Sequence, residues 1–538
     1  MGRAAIVVAT AFGLAPAAAT AAEPAPRTAT AAATVDVKRY EVQGSALIPA
    51  AELEARLAAF TGRSTLERLR AAAAAVQDTY RQAGWGGVVA FLPEQDLKDG
   101  VVKIRVVEGR LAQVTVDKNQ QFSRDNILAS LPSLKTGATP PVRRIDAEIQ
   151  LANENPAKTV QVLLQPGAQP GTVAAAVTVQ EQPVQRFSAR LDNTGGKSIG
   201  RWRAAVGWQH ANVADADHVF AAEYQTAPQD PAAVRVLSGS YRAPLYGRAM
   251  AFDAYAAWSN VDAGKVGSAA GDLQFSGKGV IAGARLAAYL PRWGNVDQRL
   301  IGGLEWRDYQ NSCTIDGLPQ GACGAAGASV SVQPLSLTYT AQASGDWRWG
   351  LSAGVHHNLA TGGSHAAQSD FDAVRSGSQR RYTLLRSQAH LNIPVGEGSG
   401  LSARVSTQYS RKPLVPGEMF GGGGAGTVRG FEERELSGDS GAVLTLEFSG
   451  PDIAESVFSW KGADLRLVAF TDAAYLANRD DAPCMAGRHE CHMGSLGAGL
   501  RLAWSTLQLR LDMARAMSTG PITAKGDVRA HLSLNVAF

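Results

Sequence analysis

From about Gln185 to its end the chain alternates between apolar and polar at every second residue. Trp202, Ala204, Val206 and Trp208 fall on one side of an extended segment, with Arg201, Arg203 and Gln209 on the other. The pattern returns as Met250, Phe252, Ala254, Ala256 and Trp258, and again as Leu335, Leu337, Tyr339 and Ala341. Leu401, Ala403 and Val405 oppose Ser402, Arg404 and Ser406, and Leu507, Leu509, Leu511 and Met513 oppose Gln508, Arg510 and Asp512. The chain closes on the same rhythm, Leu532, Leu534, Val536 and Phe538 against His531, Ser533 and Asn535. A period of two belongs to strands with one apolar face. Each segment is about ten residues long, enough for a tilted strand to cross a bilayer. At about 22 residues per strand and loop this region predicts sixteen strands, whereas twelve would need about 30 and conflict with short periplasmic turns.

Residues 35–184 read differently. Val35–Val42 is a strand candidate, Pro49–Ala59 carries Leu53 and Leu57 at helical spacing, and Ser64–Ala83 opens on Ser64-Thr65-Leu66-Glu67, a capping-box pattern, and runs helically to Gly84. Gly86–Leu92 and Val101–Val107 follow as strands. The order strand, helix, helix, strand, strand then repeats over Gln113–Val116, Ser123–Ser130, Arg143–Leu151, Thr159–Gln165 and Thr172–Glu181, with Pro-Gly turns between the last two. Two copies of one small α/β module therefore precede the strand-rich region.

Residues 1–22 pattern as a secretory signal: Met1-Gly2-Arg3, an apolar run to Ala15, then small residues around Ala19-Thr20-Ala21. Gly13, Pro16 and the alanine-rich make-up argue against a transmembrane helix there. Residues 23–34 form a low-complexity linker. No later stretch has the roughly 18 apolar residues a helical span requires. An exported chain that enters a membrane without helices must close a barrel, because only then is every backbone group satisfied in lipid. The 57 glycines, a slightly negative mean hydropathy, and 15 Phe, 12 Tyr and 10 Trp suit strands that are half apolar with aromatic girdles. The inward charges Arg404, Arg510 and Asp512 fit a wet lumen, or an ion-pair network in a plugged one.

A net charge of +4 gives no case for nucleic acid. The four cysteines form two close pairs, Cys313/Cys323 and Cys484/Cys491, read as two local disulfides in an exported chain. His489 and His492 could complete a metal set with the second pair, but structural zinc prefers other spacings and a reducing compartment, so no metal is expected.

Three stretches carry a family resemblance. The first is Tyr80-Arg81-Gln82-Ala83-Gly84-Trp85, with Leu92-Pro93-Glu94-Gln95-Asp96-Leu97, Gly100 and Ile104-Arg105-Val106-Val107-Glu108-Gly109-Arg110. It resembles the first POTRA module of the two-partner secretion transporters of haemolysin secretion/activation type. The second, Asp192-Asn193-Thr194-Gly195-Gly196 with Gly200, resembles that family's first barrel hairpin. The third runs from Phe420 through Gly421–Gly424, Val428-Arg429-Gly430-Phe431 and Leu436-Ser437-Gly438-Asp439 to Gly441, and resembles the tip of the family's inward-folded sixth loop. In that family the loop arginine, here Arg429, meets an acid in a Phe-x-Asp-x-Gly pattern. Phe470 and Asp472 match, whereas Ala474 stands in place of the glycine. Glycines in the loop permit positive φ and close approach to a wall, and the planar guanidinium suits a carboxylate. Some members carry a plug helix before the first module; here only about a dozen residues, broken by Pro24 and Pro26, lie between the signal and Val35, and a lumen-crossing helix is not expected.

The resemblance implies a domain plan of signal 1–22, linker 23–34, POTRA modules 35–110 and 111–184, and a sixteen-stranded antiparallel transmembrane β-barrel 185–538 with its inward loop at about 411–441. It also implies an outer-membrane pore that secretes a large partner exoprotein of adhesin, haemolysin or contact-inhibition type. The modules would bind that client in the periplasm. The further partners are outer-membrane lipid and the barrel-assembly machinery, which would read Phe538. No phosphate loop and no nucleophile–His–acid arrangement occurs in the sequence, so neither an enzyme nor a cofactor is expected. The alternatives are an insertase of the same superfamily, whose members usually carry three or more POTRA modules, and a general porin or receptor, which would lack residues 35–184.

Overall fold

The computed structural model describes residues 34–97, 99–196, 200–260, 264–266, 273–275, 278–310, 328–479 and 483–538. The proposed signal, most of the linker, and Cys313 and Cys323 lie outside these. The chain divides into two compact units, one ending at Thr79 and resuming over Ala90–Val106, the other comprising Tyr80–Val89 and Val107–Phe538.

In the first unit the expected opening strand is two strands. Thr34–Val37 pairs antiparallel with Gly62–Thr65, and Arg39–Gln43 runs parallel to Val101–Glu108. The break falls at Lys38, whose N–H turns to the Gly100 carbonyl at 2.8 Å. Pairing of 62–65 as a strand also displaces the expected cap. Ser64 is spent in that strand, the helix spans Leu66–Ala83, and Thr65 Oγ1 accepts from Arg68 N–H at 3.4 Å. Leu53 and Leu57, one turn apart on the helix Ala50–Leu57, are both buried. The sheet places its strands first, third, second, the third being Val101–Glu108.

The second module repeats this arrangement. Arg110–Asp117 lies parallel to Thr172–Glu181, which pairs antiparallel with Lys158–Pro166. Helices Arg124–Ala129 and Val142–Ala152 cover one face, the first capped by Ser123, which accepts from Asn126 N–H. Leu111, Phe122, Ile127, Leu131, Ile145 and Val160 form its core. Each such side chain, fully buried, is worth about 1.5–3 kcal/mol.

The strands from Gln185 onward close into one antiparallel barrel of sixteen. The eighth is interrupted at Gln333, where Val330–Val332 gives way to Pro334–Ala343 against the same neighbour. The first strand (Gln185–Asp192) meets the last (Val528–Ala537) from Ser533↔Asp192 to Ala537↔Ser188. The apolar series of the sequence faces outward: Val206, Trp208, Phe252, Trp258, Leu335, Leu337, Leu401 and Met513 are exposed to what is lipid in a membrane, while their neighbours Ala205, Asp253 and Asp512 are buried inside.

The second module is joined to the barrel through the turn Ala214–Asp217, which links the second strand (Arg203–Val213) to the third (His218–Thr226). Ala214, Asp215 and Asp217 there have positive φ of 56°, 52° and 60°, each costing on the order of 1 kcal/mol or more for a residue with a side chain. The module holds the turn in place: Asn126 Nδ2 donates to Asp215 O at 2.7 Å, Asn155 Nδ2 to Ala211 O at 2.6 Å, and Lys158 Nζ pairs with Asp217 at 2.5 Å. Burial pushes the Lys158 ammonium below its usual pKa, against the attraction of Asp217.

Candidate functional site: the loop folded into the lumen

Residues 411–439 join the eleventh strand (Gly400–Ser410) to the twelfth (Ser440–Asp452), at the end of the barrel away from the second module, and turn back into the lumen. The descending and ascending limbs pair as a short hairpin, Phe420↔Gly438 to Gly422↔Leu436. Gly423 and Gly430 have φ of +105° and +94°, which bend the chain beyond the hairpin and lay Gly430 against Ala514 of the fifteenth strand (Leu507–Ala516).

Arg429 is buried at 1% exposure at the tip of this bend. Its Nε and Nη2 donate to the two carboxylate oxygens of Asp472 at 2.8 Å each, and its backbone N–H reaches Asp472 Oδ2 at 3.1 Å. Its Nη1 donates to Glu447 at 2.8 Å and lies 3.6 Å from Asp512. The guanidinium carbon sits 3.2 Å over the centre of the Phe470 ring. Phe470 and Asp472 are two apart on the thirteenth strand (Ala463–Ala477), hence on one face, so ring and carboxylate receive the same guanidinium. Gly497, paired with Phe470, makes room: a Cβ there would come within 2.4 Å of the ring. The departure at Ala474 leaves the register regular, with partners Val443 and Met493. Gly422 of the loop packs on this part of the wall, where a Cβ would come within 3.0 Å of Leu476 and 3.1 Å of Met493.

The motif residues flanking Arg429 divide the work. Gly430 N–H donates to His531 Nε2 at 2.9 Å. Val428 and Phe431 are fully buried in an apolar cluster with Leu436, Val443, Leu476, Met493 and Cys491. Cys491 is disulfide-bonded to Cys484, so a cross-linked loop backs the Phe431 pocket. At the outer mouth Glu435 accepts from Thr523 Oγ1 at 2.6 Å and from the N–H groups of Ile522 and Thr523 at 2.9 and 2.7 Å. Burial raises the Glu435 carboxyl, but these hydrogen bonds hold it below the ordinary value. Phe538 is far from this site. It exchanges backbone hydrogen bonds with Phe187 at 2.7 and 2.9 Å, their rings stack at 6.2 Å, and together they finish the seam between first and last strands.

Sequence reasoning named one acid opposite Arg429, whereas three converge on it. Glu447 and Asp512 also bind Arg501, at 3.0 and 2.7 Å, and Asp512 binds Arg510 at 2.7 Å. Three cations and three anions thus close a neutral network across the twelfth to fifteenth strands. The alternation placed Asp512 and Arg510 inside the barrel, and applied to Leu444, Leu446 and Phe448 it places Glu447 there too. That these strands curve round to one point is a property of the closed barrel. Beside the network lies a cavity of about 320 Å³ whose lining includes Arg404, Arg510, Glu447, Thr445 and Thr427. The geometry can hold or release a loop.

The chain matches the family described as haemolysin secretion/activation protein ShlB/FhaC/HecB over residues 171–502, and the ShlB-type POTRA domain over residues 35–109. It is 26% identical over 464 residues to the outer membrane transporter CdiB of Escherichia coli O6:K15:H31, covering 84% of this chain and 74% of that one. Among solved structures, CdiB from Escherichia coli superposes with a TM-score of 0.78 at 21% identity, covering 96% of this chain and 93% of that one. CdiB from Acinetobacter baumannii gives 0.70 at 16% identity, covering 96% and 91%. At these identities the two structures establish the fold alone.

Proposed function

We infer the function from the premise that the chain belongs to the haemolysin secretion/activation (ShlB/FhaC/HecB) family, whose match covers well over half of it. It is an outer-membrane pore of two-partner secretion, with its POTRA modules in the periplasm, and it moves a partner exoprotein to the cell surface. The observation that carries the reading at the level of mechanism is the lumen itself, occupied by one glycine-hinged loop whose deepest contact is the ion pair of Arg429 with Asp472. An ion pair of this kind fixes one arrangement more than it adds net stability, and it can exchange partners when the loop moves. Arg429 and Asp472 are therefore assigned as the lock, with Val428, Gly430 and Phe431 seating the tip and Phe470 shaping the socket.

The two modules, 35–110 and 111–184, capture a large adhesin-, haemolysin- or toxin-type client by adding a client strand to an exposed sheet edge. The barrel from 185 onward conducts it once the loop is displaced. Insertion in outer-membrane lipid depends on the assembly machinery reading Phe538, and Phe538→Asp should lower the amount of heat-modifiable barrel. Co-expression with the exoprotein encoded beside this chain tests the main reading. The client should reach the medium with the full chain and stay in the cell when residues 35–184 are deleted from an inserted barrel. Undiminished export by the barrel alone would refute separate capture and conduction.

A further inference from the structure

The loop is pinned to the barrel a second time, before its glycine run. Glu418 is buried at 1% exposure on the descending limb. Its Oε1 accepts from Arg307 Nη1 at 2.7 Å and from Tyr309 OH at 2.8 Å, and its Oε2 from Arg386 Nη2 at 3.3 Å. Its backbone carbonyl accepts from Gln408 Nε2 at 2.9 Å, and the same amide reaches the carbonyl of Asp439 on the ascending limb at 3.2 Å. Gly417 lies so close on the Tyr309 ring that a Cβ would fall within 2.4 Å of it. Arg307 and Tyr309 belong to the seventh strand (Val296–Gln310), Arg386 to the tenth (Thr383–Pro394) and Gln408 to the eleventh. Glu418 is thus held from the seventh and tenth strands and Arg429 from the thirteenth, so two carboxylate–guanidinium contacts pin the loop at separate places on the wall, with Gly421–Gly424 between them.

We propose that Glu418 is the hinge pin of the sixth loop: when the Arg429 contact opens, the tip swings on the glycine run while Glu418 keeps the descending limb on the wall, and full clearance of the lumen requires its release as well. This rests on the reading of the loop as the gate. Tip and limb differ in what a release leaves behind. Freeing Arg429 strands Asp472 with Ser495 at 3.4 Å as its remaining side-chain donor. Freeing Glu418 takes an acceptor from the Tyr309 hydroxyl but strands neither guanidinium, since Arg307 retains Glu305 and Arg386 retains the Gln408 side chain at 2.8 Å. Both guanidinium groups thus keep partners without Glu418, and Glu418→Gln, which keeps an acceptor oxygen for Tyr309, leaves a folded barrel. Wall cations that keep partners when the acid leaves are what a detachable pin requires.

The test uses single cysteines, Ala425→Cys at the tip and Met419→Cys beside the pin, labelled on intact cells by a membrane-impermeant polymer maleimide under non-reducing conditions, with the unsubstituted chain as blank. Arg429→Ala should expose Ala425→Cys while Met419→Cys stays protected. Adding Glu418→Gln to Arg429→Ala should speed labelling of Met419→Cys about tenfold, the effect of losing one charged hydrogen bond. Tyr309→Phe, which removes one donor and keeps the ring, should act in the same direction with a smaller gain. Met419→Cys labelling as fast in Arg429→Ala as in the double variant, or protected in both, would overturn the proposal. Heat-modifiability reports that each variant is folded. No client is needed, so failure of the secretion reading and failure of the pin are told apart.

Discussion

Two buried cations, Arg429 in the lumen and Lys158 at the root of the barrel, meet the same electrostatic problem in different ways. The Lys158 side chain is fully enclosed and its ion-pair partner is a single carboxylate, Asp217, with Asn126 Oδ1 at 3.2 Å and the Phe122 ring 4.9 Å beneath. Arg429 spreads its charge over Asp472, Glu447 and Asp512. An ammonium is a point charge, satisfied by one close anion; a guanidinium is a planar fork that several carboxylates can share. The backbones differ more. Lys158 opens a strand laddered to Thr172–Glu181, and Asp217 sits in a turn gripped by Asn126 and Asn155, so neither can withdraw without unfolding something. Arg429 projects from a loop with glycines before and after it. One pair is a weld and the other a latch, and the stiffness of the carrying backbone, not the burial of the charge, separates them.

The largest effect is expected at the weld. Lys158→Ala leaves Asp217 buried without its cation, a loss of about 3–5 kcal/mol. Urea unfolding with limited proteolysis at residues 182–184 should show the second module detached at a lower denaturant concentration. Lys158→Met with Asp217→Asn, which removes both charges, should recover most of the loss. Little change in Lys158→Ala would mean the contact is not structural and would dissolve the contrast.

At the latch, Arg429→Ala should loosen the tip by about 1.5–3 kcal/mol while barrel abundance stays near normal. Single-channel recordings should become noisier and secretion should fall. Arg429→Lys should not rescue, because an ammonium cannot span both Asp472 oxygens. Asp472→Ala should match Arg429→Ala, and the double variant should be no worse than either single one. Strictly additive losses would show that the two residues do not form one device.

Between weld and latch in kind is the Cys484–Cys491 bond, seven residues apart in sequence. Cys484→Ser with Cys491→Ser should cost at most about 2.5 kcal/mol in chain-entropy terms. Because Cys491 lines the Phe431 pocket, the channel should also become noisier, which thermal unfolding and conductance measure together.

The smallest effect concerns pH. The Glu435 carboxyl is held below its ordinary value of 4.5, so the contacts it accepts from Ile522 and Thr523 are at full strength above that pH. They are lost as pH falls through the folded value. Channel noise should therefore be flat from pH 7 to about 5 and rise only in stronger acid. A rise near neutral pH would assign the titration to another group.

The alternation of apolar and polar residues determined the strands, their outward faces and their number, because the bilayer sets strand length and the pleat sets the period. It determined the repeated strand–helix–helix–strand–strand module through helical spacing such as Leu53 and Leu57. The glycines around Arg429 and the Phe470-x-Asp472 pair also marked a loop and a wall that belong together. Local pattern fell short where a long-range partner competed. Ser64 lost its capping role to pairing with residue 35, and Lys38 broke a strand by turning to Gly100. Only the tertiary structure brought Glu447, Arg501 and Asp512 to Arg429 and set Glu418 against Arg307 and Arg386. The first set comes from the twelfth, fourteenth and fifteenth strands, joined by successive pairing and met by the loop that folds back onto them, and Glu418 meets the seventh and tenth strands because that loop enters an enclosed lumen. The weld at Lys158 is of the same kind, since its counter-charge comes from a turn 59 residues away. Periodicity is a local property, and a sequence states it openly; the pairing of charges across a lumen is a consequence of curvature, which no short stretch of the chain contains.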